Sequence, residues 1–211
     1  YIKRWKDKTG FYIKGGNNNE SHNHNDVGSF GYIVRGEEML CDLGAGEYTR
    51  DYFGKNRYEI LCNSSEGHNV PIVDGKYQLT GDTARAESFY LKADSLIITY
   101  GAAYGLRPEC VKRKIIFKGE DGFTICDSYC NVKRITESFI TKLVPVINGN
   151  TVMLKGDSGG ISMDFKGHMG LYVREKIHND HDGNKVRVYI IKADYINNET
   201  AYVIEINIKR L

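Results

Sequence analysis

Three side chains able to carry a proton or hold a metal, His22, His24 and Asp26, fall on alternate residues of the stretch KGGNNNESHNHNDVGSF at 14–30. Alternate residues of an extended segment share a face, so all three can point to one side. The Asn, Gly and Asp around them are also ordinary turn residues, and a polar surface loop is the plain alternative. Two further segments hold groups of the same kind: Cys41-Asp42 in MLCDLG and His68 in SEGHNVP. Asp42 is predicted within an otherwise apolar strand, where an uncompensated carboxylate is expensive. It could equally start the turn at Leu-Gly, and His68 could be a loop histidine ahead of a proline. Two histidines and a carboxylate with one open position make a common catalytic zinc set.

Strand-like runs must position these groups. Residues 28–35 and 38–43 read as a hairpin joined through Gly36-Glu37, preceded by a strand around Phe11–Lys14. Residues 44–58 form a long excursion carrying Tyr48, Tyr52, Phe53 and Tyr58, and 63–75 a turn-rich approach to a short strand. Further strands are expected in ESFYLKA, SLIITYGAAY, VKRKIIF, GFTICDSYC and ITESFITKLVPVI, and through the last third to TAYVIEINIKR. Spacing of roughly 8–12 residues with no sustained helical period predicts an all-β, multi-stranded antiparallel β-sandwich of stacked sheets. In a simple hairpin centred near Gly36-Glu37, at about 3.3 Å per residue, His24 lies too far from Asp42 to share an ion. A common site requires the strand to break at Gly28 and the histidine loop to fold back, which glycine permits.

Composition narrows the partners. The 211 residues are 41% hydrophobic and 27% charged with a formal charge of +2, a globular balance that leaves no nucleic-acid footprint. No apolar run reaches transmembrane length, so neither nucleic acid nor membrane is an expected partner. The first residue is Tyr1 and no signal peptide is present, so the chain reads as cut from a longer one. Five cysteines, Cys41, Cys62, Cys110, Cys126 and Cys130, do not suggest a disulfide framework, and Cys126/Cys130 lack the second pair of a zinc ribbon. Most are expected to be small buried hydrophobes. The run Lys112-Arg113-Lys114 is expected on a solvated strand face, and the segment from His178 to Asn184 as a solvated hairpin tip.

The pattern KGG…ESHNHNDVGSF…DLGAGEY…SSEGHNVPIVDGKYQ resembles the heparinase II/III-like polysaccharide lyases, most specifically over about residues 10–80. The resemblance implies a C-terminal β-domain spanning residues 1–211, which follows a helical toroid in the full-length chain. It implies β-elimination on a uronate-containing polysaccharide of the glycosaminoglycan or alginate class. His24, Asp42 and His68 correspond to ligands of Zn2+ or another divalent cation. His22 corresponds to a histidine close to the uronate, and Tyr48, more loosely, to a cleft tyrosine; both are candidate catalytic residues. Asn23 and Tyr52 are candidate substrate contacts. The expected partners are the acidic polysaccharide and the toroid, which supplies the principal base. The isolated chain is expected to be inactive, and the parent protein secreted or periplasmic.

Rival readings are weaker. GDSGG at 156–160 matches a serine-protease nucleophile motif, but a triad is defined by geometry and roles, and a Gly-rich turn explains the pentapeptide. A cupin would need a Glu a few residues after the His-x-His pair, and none stands there. A non-catalytic carbohydrate-binding or structural β-module is the remaining alternative, with Tyr48, Tyr52, Phe53 and Tyr58 stacking on sugars.

Overall fold

A computed structural model describes residues 1–211. In chain order its strands are β1 (Ile2–Arg4), β2 (Gly10–Ile13), β3 (Asn17–Asn18), β4 (Phe30–Val34), β5 (Glu37–Leu40), β6 (Ile72–Val73), β7 (Gly81–Arg85), β8 (Ser88–Lys92) and β9 (Ser95–Thr99). They continue with β10 (Val111–Phe117), β11 (Gly122–Cys130), β12 (Arg134–Thr141), β13 (Val146–Asn148), β14 (Thr151–Lys155), β15 (Gly160–Phe165), β16 (Gly170–Asn179), β17 (Lys185–Ile196) and β18 (Ala201–Arg210). Helical structure is confined to short 3-10 turns, four of them between Arg50 and Gly67.

The strands form an eight-stranded sheet, β13-β14-β15-β18-β11-β10-β9-β8, two four-stranded sheets, β1-β2-β4-β5 and β16-β17-β12-β6, and a β3-β7 ribbon. Alternation decides which face is buried: in β10, Val111, Arg113, Ile115 and Phe117 are inside and Lys112 is out. The core lies between the eight-stranded sheet and the other two. Phe11 and Phe30 meet Phe123 at 5.1 and 5.9 Å, and Phe139 meets Phe165 at 5.7 Å. A second, smaller core (Cys41, Tyr52, Cys62, Ile140, Val188, Ile190) sits under the excursion, on the outer face of β12 and β17.

The all-β sandwich is as expected, with three local differences. The β4–β5 turn centres on Arg35-Gly36, both at positive φ, and β5 ends at Leu40, so Asp42 lies past the strand rather than within it. Cys110 and Cys130 form a single disulfide, although the five cysteines do not suggest a disulfide framework: they flank the first facing pair of the β10–β11 hairpin, Val111 and Tyr129. The solvated face expected for Lys112–Lys114 fails at Arg113, which is fully buried because it shares the parity of Val111 and Ile115. Residues 156–159 are the turn between β14 and β15, with Gly160 opening β15, and the Asp157 and Ser158 amides donate to the Glu37 carboxylate.

Candidate functional site

Backbone-directed polar side chains fold the histidine loop back on itself. Buried Asn18 donates to Gln78 Oε1 at 3.1 Å and to the Leu79 carbonyl at 2.8 Å, and accepts from the Asp26 amide at 3.3 Å. Gln78 closes a two-way pair with Val27: it accepts from the Val27 amide at 3.0 Å and donates to the Val27 carbonyl at 2.7 Å. Ser65 Oγ donates to the Asn25 carbonyl at 2.7 Å. The chain reverses at Gly28, whose φ is +86°, and a Cβ there would sit 3.1 Å from the Tyr100 ring. The break at Gly28 that a shared site requires is therefore present.

That reversal brings His24, Asp26, Asp42 and His68 together. His68 is fully buried between two acceptors, Asp42 Oδ2 at 3.0 Å from Nδ1 and the Cys62 carbonyl at 2.7 Å from Nε2. Burial opposes its protonation, but Asp42, Asp26 and the Cys62 carbonyl outweigh it and push the pKa up to about 9. Burial also works against ionised Asp42, yet the His68 charge and hydrogen bond hold its carboxyl well below the usual range. His24, 5.3 Å from His68 between ring centroids, is pushed down to about 4 by burial and by the His68 cation. Burial raises Asp26, although Lys14 Nζ lies 2.6 Å from its Oδ1.

The donors fit a divalent cation. Ligand atoms of His24, Asp26 and His68 lie within 4.8 Å of one another, and Asp42 adds Oδ2 beside His68 Nδ1. Asp42 Oδ1 accepts from the Gly44 amide at 2.9 Å, which orients the carboxylate, and the Cys62 carbonyl does the same for the His68 ring. Two imidazoles with carboxylates suit zinc. Asp26, not Asp42, completes the set whose ligand atoms lie within 4.8 Å of one another, and both carboxylates are engaged: Asp26 by Lys14, Asp42 by His68 and the Gly44 amide.

Around this cluster stands an aromatic group. Tyr48 is 48% exposed, and its ring lies 4.8 Å from Tyr52, 5.1 Å from Phe53 and 6.2 Å from His22. His22 is exposed and holds φ of +56°, a left-handed conformation uncommon outside glycine. Tyr52 is buried beneath Tyr48, with its hydroxyl 3.2 Å from His24 Nε2, so it reaches the histidine rather than the surface. Asn23 is likewise buried and donates to the Asn18 carbonyl, an anchor within the loop. His181, at the β16–β17 tip, meets the Tyr48 ring edge-on at 4.7 Å. A Gly46–Asp180 bridge and an Asn179–Glu47 hydrogen bond of 3.1 Å tie that tip to the excursion.

Two buried residues hold the site from behind. Arg113 donates from Nη1 to the Gly28 carbonyl at 2.9 Å and the Asn69 carbonyl at 2.7 Å, while Nε and Nη2 engage Asp127. One guanidinium thus fixes both the loop reversal and the residue after His68. Asn69 donates to the Phe30 and Cys41 carbonyls and accepts from the Ile140 amide at 2.6 Å.

No model of a protein family matches this chain, and no curated protein sequence matches it significantly. Stacked antiparallel sheets in this order form a β-sandwich domain of a kind known from solved structures. The fold is shared with heparinase III, the BT4657 gene product, at a TM-score of 0.78 and 14% identity, over 100% of this chain and 34% of that one. It is also shared with the heparan sulfate lyase HepC from Pedobacter heparinus, at a TM-score of 0.72 and 13% identity, over 96% and 33%. A further heparinase III structure gives 0.70 and 15% over the same shares. The chain spans about a third of the length of these matched structures.

Proposed function

We propose that this chain is the β-domain of a polysaccharide lyase that cleaves a uronate-containing polymer, of the glycosaminoglycan or alginate class, by β-elimination. The observation that carries the reading is the convergence of His22, Tyr48, His24, Asp42 and His68 at one place, on a fold shared with heparinase III. In β-elimination a base removes the proton at C5 of the uronate, the C4–C5 double bond forms as the bond from C4 to the glycosidic oxygen breaks, and a general acid protonates the departing oxygen. The C5 proton becomes acidic when the adjacent carboxylate is neutralised, so a cationic or hydrogen-bonding group there stabilises the transition state selectively. Exposed His22 is assigned to that carboxylate. Tyr48, half exposed beside it, is the proton-transfer candidate of this chain. His24, Asp42 and His68 would hold a zinc or similar ion, which would pin three separate segments and add positive charge behind the uronate. A helical toroid in the full-length protein would supply the opposite wall and the principal base.

The test uses the full-length protein with heparan sulfate and with alginate, following the ultraviolet absorbance of the unsaturated uronate. Product from at least one is expected, and His22→Ala should lower kcat on the order of 10²–10³-fold. No unsaturated product from any uronate polymer would overturn the reading. A non-catalytic carbohydrate-binding module is the second reading, favoured by the half-exposed rings of Tyr48 and Phe53. It predicts glycan binding without product.

A further inference from the structure

The outer face of the β16-β17-β12-β6 sheet carries cations that the histidine cluster does not use. Tyr172, Lys192 and Ser138 lie in one row across β16, β17 and β12. Arg174 and Lys176 follow Tyr172 on the same face of β16 at two-residue steps, while Leu171 and Val173, of the other parity, pack against the core. Farther along this face Val188, Ile190 and Ile140 lie under the excursion. At the margin of that cover stands Glu66, whose carboxylate lies 3.6 Å from Lys176 and 3.8 Å from Lys192. The three cations face two carboxylates, Glu66 and Asp194, and Asp194 also accepts from the Thr136 hydroxyl at 2.6 Å.

The row is incompletely satisfied. Lys192 is 3% exposed, and its ammonium lies 3.8 Å from the Glu66 carboxylate, beyond hydrogen-bond distance. Burial, with Arg174 and Lys176 nearby, lowers its pKa against the pull of Glu66 and Asp194. Facing it across the strand pair, the Ser138 hydroxyl is buried without any partner. Buried polar groups are nearly always paired, and here the buried Ser138 hydroxyl is left without a partner in a row that carries three cations.

We propose that this row is a binding subsite for an anionic group, a sulfate or carboxylate, carried by an acidic glycan. Arg174 and Lys176 form its exposed rim and Lys192 with Ser138 its floor. From Arg174, β16 runs about 17 Å to Asn179 at 3.3–3.4 Å per residue, and the hairpin tip that follows places His181 against Tyr48. A polymer held at both points would lie along β16, with one unit at the aromatic cluster and a later unit's charge on the row. The ligand class rests on the uronate-polymer reading, whereas the subsite stands on its own residues.

The test is calorimetric binding of a heparan sulfate hexasaccharide and an alginate hexasaccharide to this chain, at low and high salt. The Arg174→Ala/Lys176→Ala double variant should weaken binding on the order of tenfold and lose most of its salt sensitivity. Lys192→Met should also weaken binding while leaving the Tm unchanged or higher, because an apolar chain of similar length replaces a buried charge. Loss for heparan sulfate alone identifies sulfate as the bound group; loss for both identifies carboxylate. Unchanged affinity and salt dependence in the double variant would overturn the subsite, as would a Tm drop in Lys192→Met with affinity retained, which would make Lys192 a structural partner of Glu66. His22→Ala should keep the affinity difference between wild type and the double variant. Absence of elimination by the full-length protein would remove the lyase reading and leave the subsite standing.

Discussion

His22 is exposed with a left-handed backbone, whereas His24, two residues on, turns inward to the Tyr52 hydroxyl and the His68 ring. Their surroundings suit different work: the half-buried, readily neutral imidazole of His24 suits a metal, and the exposed one of His22 suits a substrate carboxylate. His24→Ala is expected to abolish zinc retention in elemental analysis and to lower the Tm, since a ligand at 100 times its Kd contributes about 2.7 kcal/mol to folding. His22→Ala should leave metal content unchanged; the reverse pattern would exchange the two assignments. At this scale the sequence was partly legible. Alternation marked His22, His24 and Asp26 as a group, but an extended-segment rule cannot show that His22 leaves the regular conformation, or that Lys14 takes Asp26. Nor could it show that Asn23 and Tyr52 point inward, because that depends on how Asn18 and Arg57 cross the loop.

Arg113 shows how strand parity outranks charge. Beside two lysines it resembles a solvated residue, yet in VKRKIIF it occupies the parity of Val111, Ile115 and Phe117. Asp127 occupies the buried parity of GFTICDSYC, and the hairpin register sets the two opposite each other. Counting parity before charge would have found the pair; the carbonyls of Gly28 and Asn69 that share it come from distant segments and carry no local signal. Arg113→Met should cost about 3–5 kcal/mol by leaving Asp127 buried without its partner. It should also loosen zinc retention, because both backbone segments flanking the site lose their donor; denaturant unfolding and metal content read the two effects. Glu137, fully buried against Asp127 and the Tyr129 hydroxyl, is pushed up to about 8, by burial first and by Asp127 second. Its carboxyl stays protonated in the folded chain over a range where the unfolded chain has released the proton. That contribution to stability is therefore present at low pH and lost as pH rises from about 5 to 8. Glu137→Gln should remove this decline, so its stability relative to wild type increases across that window in denaturant titrations. The Cys110–Cys130 bridge was missed for a related reason: the cysteines are 20 residues apart and become neighbours only once the β10–β11 register is fixed.

For the whole molecule, the sandwich was readable because short alternating runs recur along the chain and only the sheet partners had to be supplied by folding. Sequence spacing leaves open which sheet each run joins, so the covering of the β12–β17 face by the excursion and the docking of the β16–β17 tip on Tyr48 appear only in three dimensions. Both matter for function, because they build one wall of a site and leave it open. Tyr48 is 48% and Phe53 51% exposed, and His22 lies beside them at the surface. Beta-elimination needs a base and an acid fixed on the sugar ring at matched pKa, with water held back. A single open wall can bind a sugar but cannot enclose it. This chain alone is therefore expected to bind uronate oligosaccharides in calorimetry and to form no unsaturated product in the absorbance assay. Joining it to the proposed helical toroid should restore turnover without creating new contacts within the β-domain. Clear product from the 211 residues alone would show that the wall suffices, and would move the base to Tyr48. In that case Tyr48→Phe, which keeps the ring packing against Phe53 and His181 and removes only the hydroxyl, should abolish the activity while leaving the Tm in place.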